Sequence, residues 1–118
     1  MGDFQKLKVW QRAKDLAVYI YRIINQSPFT RDYFLKDQIW RSAISIPSNI
    51  AEGDELDTNK QSVKFFYIAK GSTAELLNQV IIAHEIGYLS QSQFDFLSEE
   101  CNAISSMLTR LIKARSNS

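Results

Sequence analysis

The chain has 118 residues with nearly balanced charge, 14 Lys and Arg against 13 Asp and Glu. This length fits one domain, residues 1–118, with one good core, and a net charge of +1 at a pI near 7.8 gives no compositional push toward nucleic acid or membrane. A chain 45% hydrophobic and 23% charged is globular in character, four Gly and two Pro leave too few turns for many short strands, and the single Cys101 excludes an internal disulfide. No apolar run nears the roughly 18 residues of a membrane span, and no secretory signal opens the chain. Met1-Gly2 does not read as a myristoylation start, because position 6 is Lys rather than Ser or Thr. The expected location is the cytoplasm.

Four segments carry helical periodicity. The first runs from about Lys8 to Gln26, with Val9, Ala13, Leu16, Ile20 and Ile23 on one face. Ser27-Pro28-Phe29 ends it, and Thr30 reads as the cap of the second helix. That helix extends to about Asp54, where Gly53-Asp54-Glu55-Leu56-Asp57-Thr58 forms a break rich in turn residues. The third helix is expected from about Asn59 to Tyr88. Ser90 with Gln93 makes a capping box for the fourth, whose Phe94, Leu97, Cys101, Ile104, Leu108 and Leu111 trace a heptad seam. Ser116-Asn117-Ser118 reads as a frayed tail. Short links between long helices predict an all-α, antiparallel up-down-up-down four-helix bundle.

The second helix contains the most informative stretch, Ser45-Ile46-Pro47-Ser48-Asn49-Ile50-Ala51-Glu52-Gly53. Proline inside a helix lacks an N–H and crowds the carbonyl four residues back, at a cost of roughly 3 kcal/mol. Small polar neighbours, Ser42, Ser45, Ser48 and Asn49, can hydrogen-bond backbone or an adjacent helix, so a continued but bent helix is expected. This helix also has two apolar seams. Leu35, Ile39, Ala43, Ile46 and Ile50 form one; Tyr33, Trp40, Ile44, Pro47 and Ala51 form the other, about 110° away. A bundle helix needs one stripe for its own core. The second predicts self-association, with Tyr33, Trp40, Ile44 and Pro47 at the contact.

Catalysis finds little support. His84 is the only histidine, too few for a di-metal carboxylate bundle, and one Cys with one His excludes the common zinc sets. A helical RNase motif would need an Arg shortly before His84, and positions 78–83 hold none. Cys101 occupies a core heptad position, where a buried small hydrophobe is expected rather than a nucleophile. Gly71-Ser72 is expected to let helices approach closely. No metal or cofactor is implied.

Two polar constellations remain. On the second helix, Gln38, Arg41, Ser45, Asn49 and Glu52 share a face with Ser42 and Ser48, and Glu75 and Gln79 can oppose them from the third helix. Such a seam can set helix register or bind a ligand; the first is favoured. Basic residues gather toward one pole of the expected bundle, among them Lys6, Lys8, Arg12, Lys60, Lys64, Lys113 and Arg115. Nine basic residues there face six acids, an excess of three, and the other pole is net acidic. A ring of subunits would sum such poles into a patch.

Four segments together resemble a known family. They are Leu7-x-Val9-Trp10-x-x-Ala13, Tyr33-x-Leu35-x-x-Gln38, Arg41-Ser42-Ala43-x-Ser45-Ile46-Pro47-Ser48-Asn49-Ile50-Ala51-Glu52-Gly53, and Ala69-x-Gly71-Ser72-x-x-Glu75-Leu76. The chain resembles the bacterial four-helix-bundle proteins encoded by intervening sequences in 23S ribosomal RNA genes. The resemblance implies a ring-shaped homopentamer and kinship with the accessory variability proteins of diversity-generating retroelements. Those bind nucleic acid and a reverse transcriptase through a strongly basic surface, whereas this chain is near neutral. The family implies no catalytic residue.

Three functions follow for testing. The leading one is a non-enzymatic oligomeric bundle that binds RNA or DNA weakly as an accessory factor. The second is a protein-interaction scaffold without nucleic acid. The third is a small-molecule or enzymatic site around Arg41, Asn49, Glu52 and Glu75.

Overall fold

The computed structural model describes residues 3–117; Met1, Gly2 and Ser118, with the expectations placed on them, lie outside the described residues. Four long α-helices follow in order, α1 (Lys8–Ile24), α2 (Tyr33–Asp54), α3 (Asn59–Glu85) and α4 (Gln91–Ser116). Short 3₁₀ turns at Phe4–Lys6 and Phe29–Arg31 precede the first two, and no strand occurs among the described residues. Each helix touches the next in sequence, and α1 also meets α4, which closes a four-helix bundle of 45 × 20 × 20 Å. The 27 residues of α3 span about 40 Å, nearly the whole long axis.

Local chemistry sets the helix ends. Asp32, not Thr30, caps α2: its Oδ1 accepts from the Leu35 N–H at 3.1 Å, while Thr30 sits in the 3₁₀ turn. The other Asp32 oxygen accepts from the Tyr88 hydroxyl at 3.0 Å, so one carboxylate ties the α1–α2 and α3–α4 links together. Thr58 caps α3 through the Gln61 N–H. The third helix ends at Glu85 rather than Tyr88 because Gly87 takes φ +90°, a backbone state that residues with a Cβ resist. The Tyr88 N–H then bonds the Ala83 carbonyl at 2.9 Å and the Gly87 N–H bonds that of His84, the glycine stop of a helix. Ser90 and Gln93 form the expected reciprocal capping box.

α2 remains helical through Pro47. Pro47 supplies no N–H to the carbonyl four residues back. Asn49 adds bonds in the next turn, donating from Nδ2 to the Ser45 carbonyl at 2.8 Å and to Ser45 Oγ at 2.9 Å. Further along, α2 presses close to α3. A Cβ on Gly53 would lie 2.8 Å from Phe66 Cε1 and 3.0 Å from Phe65 Cβ, so only glycine allows this approach. Gly71 does not serve that purpose: it is exposed, and a Cβ there would meet nothing within 4 Å.

The core follows the expected stripes in their middles, while the outer members Leu35, Phe94 and Ala51 are only half-buried and two further departures stand out. Val9, Ala13, Leu16, Ile20 and Ile23 are buried from α1, and Ile39, Ala43, Ile46 and Ile50 from α2. In α4, Leu97, Cys101, Ile104 and Leu108 are buried, but the seam closes on Ile112 while Leu111 is half-buried. Leu111 lies on the side of α4 that faces α1, and Arg12 of α1 already pairs with Glu100, so α1 has run out by that level. The second α2 seam divides. Pro47 is buried, Trp40 is half-buried against Tyr21 with ring centroids 5.2 Å apart, and Tyr33 and Ile44 are exposed.

Candidate functional site

The polar seam lies between α2 and α3. Ser42 Oγ donates to Glu75 Oε1 at 2.6 Å and lies 3.1 Å from the Gln38 carbonyl. Its single proton favours the shorter, charge-assisted contact. Ser45 Oγ is 2.9 Å from Ser72 Oγ while accepting from Asn49. The resulting Asn49–Ser45–Ser72 chain and the Ser42–Glu75 bond join the two helices at two levels.

Other expected members stand apart from these bonds. Arg41 is exposed and turns to Asp37 on its own helix, its Nε 2.8 Å from Oδ2. Glu52 and Ser48 are exposed, and Gln38 reaches the network only by its backbone carbonyl, the alternative acceptor for the Ser42 hydroxyl. Gln79 is buried, and its Oε1 accepts no hydrogen bond from the protein. The geometry joins Ser45 to Asn49 and, at a separate level, Glu75 to Ser42, but leaves Arg41 and Glu52 outside. Ser72 completes the network and was not among the candidates. Its signal was the pairing that places residue 72 opposite residue 45 once 75 lies opposite 42.

The basic pole is partly neutralised. Arg12 makes a two-pronged contact to Glu100, at 2.9 and 2.8 Å. That hydrogen bond holds the Glu100 carboxyl below the usual carboxylate range and raises the Arg12 guanidinium. Arg115 donates to Oδ1 of buried Asp54 at 2.7 Å, and its guanidinium lies 5.4 Å from the Phe66 ring centre. Lys6 approaches Asp3 at 4.0 Å. Lys8, Lys60, Lys64 and Lys113 are exposed and have no ion-pair partner among the described residues. Two cavities of about 310 and 320 Å³ open between α3 and α4 at this pole. Lys70, which was not among the expected basic-pole residues, lines the first with Tyr67 and Lys113. Eleven residues into a long helix, it still reaches the last turns of α4.

The reactive groups are placed as follows. Cys101 is buried, and burial pushes its thiol up to about 12. The His84 ring stacks on Phe94, centroids 4.3 Å apart and planes within 16°. No group of three or more His, Cys, Asp or Glu is arranged to hold a metal ion among the described residues. No described helix is long and apolar enough to cross a membrane.

Much apolar surface remains uncovered. Phe34 and Tyr33 are 78% and 77% exposed, and Tyr21, Ile44, Ile68, Ile82 and Ile86 are also exposed. Ile68 and Ile82 on α3, and Ile86 at its C-terminal cap, fall within about 40° of Glu75, the side that meets α2.

These four helices, closed round one apolar core and joined by a polar seam at α2 and α3, define a four-helix-bundle protein. The chain belongs to the 23S rRNA-intervening sequence protein family, whose model matches residues 5–110. Among solved structures it is similar to a Bacteroides thetaiotaomicron protein of unknown function from the S23 ribosomal protein family. The TM-score is 0.82 at 21% identity, over 89% of this chain and 98% of that one. This likeness concerns the fold. No curated protein matches the chain.

Proposed function

We propose that the chain is a non-enzymatic, self-assembling, cytoplasmic bundle that holds nucleic acid weakly at its basic pole once assembled. The observation that carries this reading is the uncovered apolar surface, which falls on two faces. Tyr21, Tyr33, Trp40 and Ile44 lie along α1 and α2, and Phe34, Ile68, Ile82 and Ile86 lie along α2 and α3. Two different apolar faces favour head-to-tail contact, which closes into a ring when the rotation allows. Family membership favours the same outcome, a ring-shaped homopentamer.

An up-down-up-down antiparallel order within a single domain is supported by the paired residues. Numbers fall along α3 as they rise along α2, in Ser42–Glu75, Ser45–Ser72 and Gly53–Phe66. A shared basic pole is supported by the Asp54–Arg115 contact between the ends of α2 and α4 and by the adjoining cavities that Lys60 and Lys113 line; Lys64 is exposed one turn further along α3.

A non-enzymatic role is supported by the placement of the reactive groups. Cys101 is shielded, His84 is stacked, and the Ser42–Glu75 and Asn49–Ser45 bonds occupy the seam. The test is a mass measurement beside a nucleic-acid titration. The expected mass is about five times the 13.6 kDa chain, with affinity falling steeply between about 50 and 200 mM salt. A monomer at micromolar concentration overturns the assembly. No binding at the lower salt leaves a protein-interaction scaffold.

A further inference from the structure

We infer that the groove between the first half of α3 and the last turns of α4 is a channel for single-stranded nucleic acid, with lysines on the phosphates and Tyr67 under a base. This rests on the nucleic-acid reading above and adds to it the strand form and the residues. The two cavities share Ser116, so they adjoin along the same groove. Its cationic lining is Lys60, Lys70, Lys113 and Arg115, and no carboxylate lines either cavity. Asp54 already neutralises Arg115, whereas Lys60, Lys70 and Lys113 have no ion-pair partner among the described residues. The groove therefore carries three uncompensated positive charges, although the chain as a whole carries +1.

Tyr67 distinguishes single strand from duplex. The residue is 59% exposed, lines the cavity with Lys70 and Lys113, and has no aromatic partner among the described residues. An aromatic face flanked by ammonium groups is the arrangement that takes an unstacked base while its phosphates are neutralised. A duplex keeps its bases stacked and offers only backbone to such a groove. Each cavity sits at the small end of ligand pockets, roughly 300–1,000 Å³, which suits one nucleotide unit at a time.

The test is fluorescence anisotropy of the full chain with a labelled single-stranded oligonucleotide and its duplex, at several salt concentrations. The single strand is expected to bind more tightly. Tyr67→Ala should weaken it about fivefold or more, and Tyr67→Leu, which keeps the apolar bulk, should weaken it similarly. Lys70→Ala with Lys113→Ala should flatten the slope of log K against log salt by about 1.4, the share of two phosphate contacts on a single strand. Arg31→Ala, in the turn before α2, should change nothing. Circular dichroism should show all variants folded, because the substituted side chains lie at the surface or are only half-buried. If the strand binds but the groove variants bind like wild type, or if duplex binds as tightly, the groove inference is overturned and the nucleic-acid reading stands. If neither form binds at low salt, both fall.

Discussion

Gly53 and Gly71 show how one residue type plays opposite parts. At Gly53 a methyl group would collide with Phe66 and Phe65, so Gly53→Ala should destabilise the fold by about 1–3 kcal/mol despite alanine's better helix propensity. At Gly71 there is open space, and Gly71→Ala should stabilise by roughly 0.5–1 kcal/mol. Urea unfolding of the two variants checks both signs. Cys101 offers a second residue-scale test. With its thiol buried and pushed up to about 12, it should react with a thiol reagent at pH 8 only as fast as the protein opens, and rapidly in denaturant. Glu100 offers a third. Its folded pKa lies below the ordinary value of 4.5, so its contribution is present above that pH and lost as pH falls through the folded value. Acid unfolding of Glu100→Gln should therefore show a shallower loss below about pH 4.5 than wild type.

At the scale of elements, helix ends were legible where a cap and its partner lie within three residues. Ser90 and Gln93 are such a pair. Thr30 failed as a cap because the chain adds a 3₁₀ turn after Pro28, moving the start of α2 to Tyr33 and the capping role to Asp32. Asp32 then serves two elements, the α2 terminus and Tyr88 of the α3–α4 link. Asp32→Ala should cost more than a cap alone, which is worth about 1 kcal/mol, and Tyr88→Phe should recover part of that difference in a double-mutant cycle. Equal, additive losses from the two substitutions would show that the link does not couple the ends.

At the scale of the molecule, apolar surface decides what the bundle does next. Trp40 is half-buried and packs on Tyr21, so a charge there disturbs the monomer as well as any contact outside it. Ile82 is exposed and is the cleaner probe. Ile82→Asp should leave helix content unchanged and lower the sedimentation mass toward 13.6 kDa at micromolar concentration. An unchanged mass would remove α3 from the proposed contact.

Much of this protein was determined by the sequence itself. The four helices, the α1 and α2 core stripes, the helical passage through Pro47 and the membership in a family with the Ser45–Gly53 run all rest on local periodicity and on residue types that few backbones accommodate. Only tertiary structure decided which polar residues pair. Arg41 shares a helical face with Ser45, yet it bonds Asp37 because a long side chain at the surface reaches its own helix at less entropic cost. Ser42 and Ser72 are short and half-buried or buried, so they bond across the interface that closes over them. Lys70 joined Lys113 and Tyr67 for a similar reason. Periodicity gives the angle of a residue on its helix, but the neighbour it meets depends on where the next helix lies along the axis.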